Sequence, residues 1–162
     1  MERMQTMELD VKIYQLSSEF LRDHPAAQYP ELMYKKGRPY SCLLLDLHPD
    51  YWVCIPYRSS IHHKNAFLFT GTERSRRTKS GLDYSKMVLI QKESYLDAAD
   101  VVVDQDEYNE TIRNIRRIAG QALEYLDGYI RHVNGTRPLH PKAYARTYQY
   151  STLPYFHDIM GL

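Results

Sequence analysis

Apolar positions form their densest run at residues 40–47, from Tyr40 through Cys42-Leu43-Leu44-Leu45. A run that is almost continuously apolar over strand length predicts a strand buried on both faces. His48-Pro49-Asp50 carries turn chemistry, and residues 51–57 read as a second strand, so the pair predicts a hairpin. Pro56 in that second strand points to a sheet edge or a strand end. Residues 66–70, 87–91 and 101–103 predict three further strands, with 71–81 a polar loop between the first two of them. Upstream, residues 11–16 alternate weakly as a short strand. Ser17 and Ser18 can cap a helix through Arg22 that Pro25 closes. Pro30 in a first turn starts a second short helix over 31–35, ended by Gly37.

The helical signal is strongest further on. Tyr108, Ile112, Ile115, Ala119, Ala122, Leu126, Tyr129 and Val133 alternate four and three residues apart, one continuous apolar stripe of a long helix. Asp104 or Asp106 can cap its start, and Asn134-Gly135 stops it. Arg113, Arg116 and Arg117 lie off the stripe and read as a solvated face. In the tail, Ser151 can cap a last short helix from about Thr152 to Met160, ended by Gly161. Its Tyr155, Phe156 and Ile159 need cover from the rest of the fold. Together these elements predict an α+β fold, a small antiparallel sheet with one long helix packed on it. Residues 11–162 form the single domain, behind a flexible, Met-rich stretch at 1–10.

Composition narrows the classes. The chain has 162 residues, 43% hydrophobic, enough for one sizeable core. Its 21 Lys and Arg against 20 Asp and Glu leave a net charge of +1, which excludes a globally basic nucleic-acid binder. Fifteen tyrosines stand against four Phe and one Trp; Tyr can stack on bases or pack with its hydroxyl at a wet edge. Two cysteines, Cys42 and Cys54, are too few for a disulfide framework and read as buried thiols. No stretch is long and apolar enough for a membrane span, and the first residues lack an export-type apolar core. A cytoplasmic protein with no membrane partner is expected.

Candidate chemistry concentrates directly after the second hairpin strand, in Arg58-Ser59-Ser60-Ile61-His62-His63-Lys64. A guanidinium, two hydroxyls, two imidazoles and an ammonium are costly to bury, so this segment is expected at a sheet rim facing solvent or a ligand. The content suits metal-free phosphodiester cleavage. Imidazole serves as base or acid near neutral pH, Arg clamps phosphate oxygens, and Ser orients the phosphate. Two basic clusters could add phosphate contacts: Lys35, Lys36 and Arg38 before the first buried strand, and Arg74, Arg76, Arg77 and Lys79 in the polar loop. Lys86, beside Tyr84 and Ser85, is a further candidate. No cofactor is implied. A metal-dependent hydrolase built on His62, His63 and His157 is an alternative. It is weakened because adjacent strand residues point to opposite faces and no carboxylate triad accompanies the pair. A non-catalytic RNA-binding module would use the same basic patches.

Read in order, several segments resemble the type III toxin–antitoxin endoribonucleases, most closely the TenpN branch of the ToxN-like toxins. They are Lys36-Gly37-Arg38-Pro39-Tyr40, the Arg-Ser-x-Ile-x-His-x-x-Ala-Phe arrangement from Arg58 to Phe67, Gly81-Leu82-Asp83-Tyr84-Ser85-Lys86, and Ser151-Thr152-Leu153-Pro154-Tyr155-Phe156-His157. The resemblance covers roughly residues 11–162. It implies a compact, twisted antiparallel sheet related to the MazF/Kid-like toxins. It implies metal-independent RNA cleavage leaving a 2′,3′-cyclic phosphate, and a role in growth arrest and phage defence. Its implied partners are target cellular or phage RNA and a repeated, pseudoknotted antitoxin RNA, with which the toxin assembles into a closed hetero-oligomer. In that family a Thr-Ser pair and a nearby Lys follow the Pro-bearing strand. Here Ser59 matches the Ser, Arg58 stands in place of the Thr, and Lys64 lies further along, with His62 and His63 between. The implied roles are Arg58 on the phosphorane, Ser59 on the phosphate and His63 as base or acid, with His62 or Lys36 in the complementary role. Ser60, Lys64 and the basic clusters contact RNA.

Overall fold

The computed structural model describes residues 11–33, 40–98 and 103–162. Among these, seven strands form one antiparallel arrangement. They are β1 (Lys12–Leu16), β2 (Ser41–His48), β3 (Tyr51–Arg58), β4 (Ala66–Leu68), β5 (Gly81–Asp83), β6 (Val88–Ile90) and β7 (Leu96–Asp97). The lateral order is β4-β5-β3-β2-β1-β7, with β6 also paired to β3. The class is α+β. The β2–β3 hairpin is the spine: Leu43 opposes Ile55 and Leu44 opposes Cys54. Both cysteines are buried and free.

β3 is an interior strand, which corrects the edge expectation drawn from Pro56. One side pairs along β2; the other is shared, β6 covering Trp52 to Cys54 and β5 covering Tyr57 and Arg58. Pro56 falls at the step between those two partners, a place where a strand can do without a ladder N–H. The changeover leaves Arg58 opposite Gly81.

Six α-helices are described: α1 (Ser18–Asp23), α2 (Glu73–Arg77), α3 (Gln105–Arg113), α4 (Ile115–Val133), α5 (Pro141–Tyr148) and α6 (His157–Met160). Ser17 caps α1 as expected, its hydroxyl accepting from the Phe20 N–H. Residues 30–32 make only a 3₁₀ turn, with Met33 left-handed after it. The remainder of the helix expected over 31–35, and positions 101–102 of the fifth expected strand, lie outside the described residues.

The single long helix is corrected to two. At Asn114 the backbone leaves helical geometry (φ −116, ψ 17). Its side-chain Nδ2 donates to the Glu110 carbonyl at 2.9 Å, competing with the helical ladder. Its own carbonyl then accepts from Ile118 N–H and starts α4. The stripe survives the break over α4, where Ala119, Ala122, Leu126 and Tyr129 are buried together with Ile118 beside them, but Ile112 and Val133 are exposed. The inward face of α3 is polar instead. Glu107, Glu110 and Thr111 are buried, each tied to the β4–β5 connection or to β3. That connection holds α2, capped by a reciprocal Thr72–Ser75 pair, in place of an expected irregular loop. The tail docks as expected: Leu153 and Phe156 are buried, and Gly161 ends α6 in the left-handed region.

Candidate functional site

Where β3 ends, the chain must turn away from the sheet. Ser60 does this at φ 55, an uncommon conformation for a residue with a side chain. It is held there because its N–H and its hydroxyl both meet Thr78 Oγ1, at 2.9 and 3.1 Å. Ile61 then buries itself and donates to the Lys79 carbonyl. The segment therefore doubles back, and residues 63–65 lie beside β5 and the 3₁₀ turn Tyr84–Lys86 that follows it.

The doubling brings Arg58 and His63 onto one carboxylate, Asp83, whose side chain is fully buried. Arg58 Nη1 donates to Asp83 Oδ2 at 2.9 Å, and His63 Nε2 meets the same oxygen at 3.2 Å. Oδ1 accepts from the Ser85 hydroxyl at 2.6 Å and the Ser85 N–H at 3.0 Å. Burial pushes the Asp83 carboxyl up, but hydrogen bonds from His63 and Ser85 and the His63 and Arg58 charges outweigh it, holding the group below the usual carboxylate range. Arg58 and His63 keep 23% and 35% of their side chains open, so this centre faces outward through its cationic and imidazole members.

His63 is fixed at both nitrogens. Its Nδ1 accepts the Asn65 N–H at 3.0 Å, so the proton sits on Nε2 and points at Asp83. Ser85 Oγ lies 3.4 Å from that same Nε2. A Ser–His–Asp relay needs the serine and the carboxylate on opposite ring nitrogens. The arrangement is therefore a shared anchor and not a hydrolase triad.

Lys86 is buried at the next position and donates from Nζ to the Tyr150 carbonyl at 2.6 Å. Desolvation lowers its ammonium, opposed by Asp83 and reinforced by Arg58. Two further contacts close the centre. Arg58 Nη2 reaches Met33 Sδ at 3.7 Å, and the Tyr40 hydroxyl donates to the Lys86 carbonyl at 3.4 Å. The tail locks the turn from below: Thr152 N–H donates to the Ser85 carbonyl, and Thr152 Oγ1 to the Met87 carbonyl.

Of the expected residues, the fold unites Arg58 and His63 on Asp83, whereas Lys86 is buried with its ammonium on the Tyr150 carbonyl and is not the exposed RNA contact expected of it. Ser59, His62 and Lys64 are exposed around them, and Ser60 serves the turn. Lys35, Lys36 and Arg38 lie outside the described residues. Arg76, Arg77 and Lys79 are exposed on and after α2. Arg74 is occupied: its Nε and Nη2 form a fork on Glu107 at 3.1 and 2.8 Å. Arg74→Ala should therefore destabilise the fold by about 1–3 kcal/mol, by stranding a buried carboxylate. Alanine at Arg76 or Arg77 should move stability by no more than about 0.5 kcal/mol. Urea denaturation of the three variants measures the difference. His157 Nε2 is paired with the Tyr129 hydroxyl at 2.6 Å. No group of three or more His, Cys, Asp or Glu that could hold a metal ion occurs among the described residues.

Sequence reasoning missed Asp83 and Ser85 as members of the centre. Asp83 is the sole acidic residue between Lys79 and Glu93, with the bulky Leu82 and Tyr84 on either side. A carboxylate between bulky residues is expensive to bury unless paired, which was the available signal.

Beside this centre lies a cleft of about 860 Å³, between Lys64–Ala66 and Tyr84 on one side and one face of α4 on the other. Asn65 links the two places: its N–H holds His63, its carbonyl accepts Tyr84 N–H, and its Nδ2 donates to the Arg146 and Thr147 carbonyls.

Among the described residues, no helix is long and apolar enough to cross a membrane. Compared with protein-family models, curated proteins and solved structures, the chain matches none.

Proposed function

We propose that this protein is a metal-independent endoribonuclease, the toxin of a type III toxin–antitoxin system, with a ToxN-like sheet of the MazF/Kid kind. One observation carries the reading. Arg58 and His63 converge on a single buried carboxylate, Asp83, at the end of β3, and both stay partly open to solvent. The guanidinium and the imidazole form the outward-facing part of this centre, where a phosphodiester could be held.

In that reaction the ribose 2′-oxygen forms a bond to phosphorus as the bond to the 5′-oxygen breaks. The products are a 2′,3′-cyclic phosphate and a 5′-hydroxyl. Arg58 neutralises the phosphorane oxygens, and Ser59, exposed beside it, orients the phosphate. A 2′-hydroxyl that displaces the Asn65 N–H from His63 Nδ1 meets a base whose other nitrogen is already backed by Asp83. The carboxylate stabilises the imidazolium that forms. His62 or Lys36 protonates the leaving oxygen. The exposed Lys64, Arg76, Arg77 and Lys79 supply further phosphate contacts to target RNA and to a repeated, structured antitoxin RNA in the cytoplasm.

The engagement of both His63 nitrogens in the free protein favours a second reading, a non-catalytic RNA-binding module. Incubating the purified protein with RNA in EDTA separates the two. Cyclic-phosphate ends are expected, and Arg58→Ala should lower the cleavage rate by about a hundredfold, the effect of removing one electrostatic contact. Binding without new ends would establish the module instead.

A further inference from the structure

We infer that the cleft beside α4 seats the RNA strand next to the scissile linkage, as an unpaired segment; this rests on the nuclease reading. The cleft begins at Lys64 and Asn65, directly after His63. Its far wall is a second stripe of α4. Gly120, Glu124, Asp127 and Arg131 recur four, three and four residues apart, so they share one helix face. Arg131, Arg137 and Lys64 bring positive charge for backbone phosphates. Glu124 and Asp127 repel phosphates and accept N–H groups, so they suit base edges. A duplex hides those edges in its grooves, whereas a single strand presents them to side chains. Gln121 lies on the same wall, its Oε1 engaged by the Tyr84 hydroxyl at 2.8 Å.

The glycines of α4 sharpen the case. Glycine inside a helix is unfavourable by about 1 kcal/mol relative to alanine. At Gly128 packing is close: an added Cβ would lie 2.6 Å from the Tyr148 hydroxyl, which would have to shift. At Gly120 an added Cβ would meet nothing within 4 Å. Gly120 lines the cleft, so a side chain at that position would take up space a strand could use.

The test uses a short single-stranded oligoribonucleotide with 2′-O-methyl riboses, which cannot be cut, and fluorescence anisotropy at two salt concentrations. Gly120→Leu should bind it about tenfold more weakly, with a melting temperature equal to or above that of the unsubstituted protein. Arg131→Glu should bind more weakly and show a shallower salt dependence. Both variants binding like the unsubstituted protein, while that protein still cuts RNA, would overturn the cleft assignment alone. An unsubstituted protein without RNA affinity would overturn both the cleft and the nuclease.

Discussion

Asp83→Ala should destabilise the fold by about 3–5 kcal/mol and abolish RNA cleavage well below the melting temperature. The side chain is fully buried and accepts from Arg58 Nη1, His63 Nε2, Ser85 Oγ and Ser85 N–H. Removing one member of a buried pair strands its partners, which is worse than never having had the pair. For a chain of this size each kcal/mol moves the melting temperature by roughly 2–4 °C, so the loss is readily measured. Asp83→Asn separates charge from shape. Its oxygen can still receive Ser85, but its amide hydrogens would face donors on Arg58 and His63, so most of the loss should remain. Acid titration gives an independent check. The folded Asp83 carboxyl is held below its unfolded value of about 3.9. Its contribution is therefore complete above that pH and is lost as pH falls through the lower folded value. The two variants should lose less stability over that acid range than the unsubstituted protein does. A urea midpoint unchanged in Asp83→Ala would remove Asp83 as the anchor of the site.

The anchor shows where sequence reading stops. The rim after β3 was legible, because Arg58, the serines and the histidines are adjacent in the chain and too polar to bury together. The β2–β3 hairpin was legible because its apolar run and its turn are local signals. Asp83 joins Arg58 across twenty-five positions, through a reversal set by Ser60 and Thr78 that no local pattern encodes. The helix break failed for a different reason. The apolar stripe continues in phase through Asn114, and only that residue's bond to the Glu110 carbonyl interrupts the axis. In the tail, α5 was overlooked although Pro141 stands at its first turn and the His140 ring accepts the Lys142 N–H. Proline in a Tyr-rich segment reads as loop chemistry as readily as a helix start. Arg74 illustrates the converse error of counting charges: its fork closes on Glu107, which a residue count cannot show.

Gly81→Ala should cost more than about 3 kcal/mol, although it adds a single methyl group. Gly81 opens β5 between two strands, opposite Arg58 of β3 on one side and Leu68 of β4 on the other. A Cβ there would overlap the Phe67 carbonyl oxygen and stand 2.9 Å from Leu68 Cα. Those atoms are backbone, so no rotamer change relieves the overlap, and β4 must move off β5. Displacing this corner also shifts Asp83, two residues on, from its partners on β3 and at His63. The expected result is a lowered urea midpoint together with loss of the proposed RNA cleavage at temperatures where the protein is still folded. Alanine at Gly120, where nothing stands within 4 Å, should instead leave stability unchanged or raise it by up to about 1 kcal/mol. The two glycines thus report on different demands, close backbone approach at the site's floor and open space at its flank. Equal responses to the same methyl group would contradict the packing described at the β4–β5 corner.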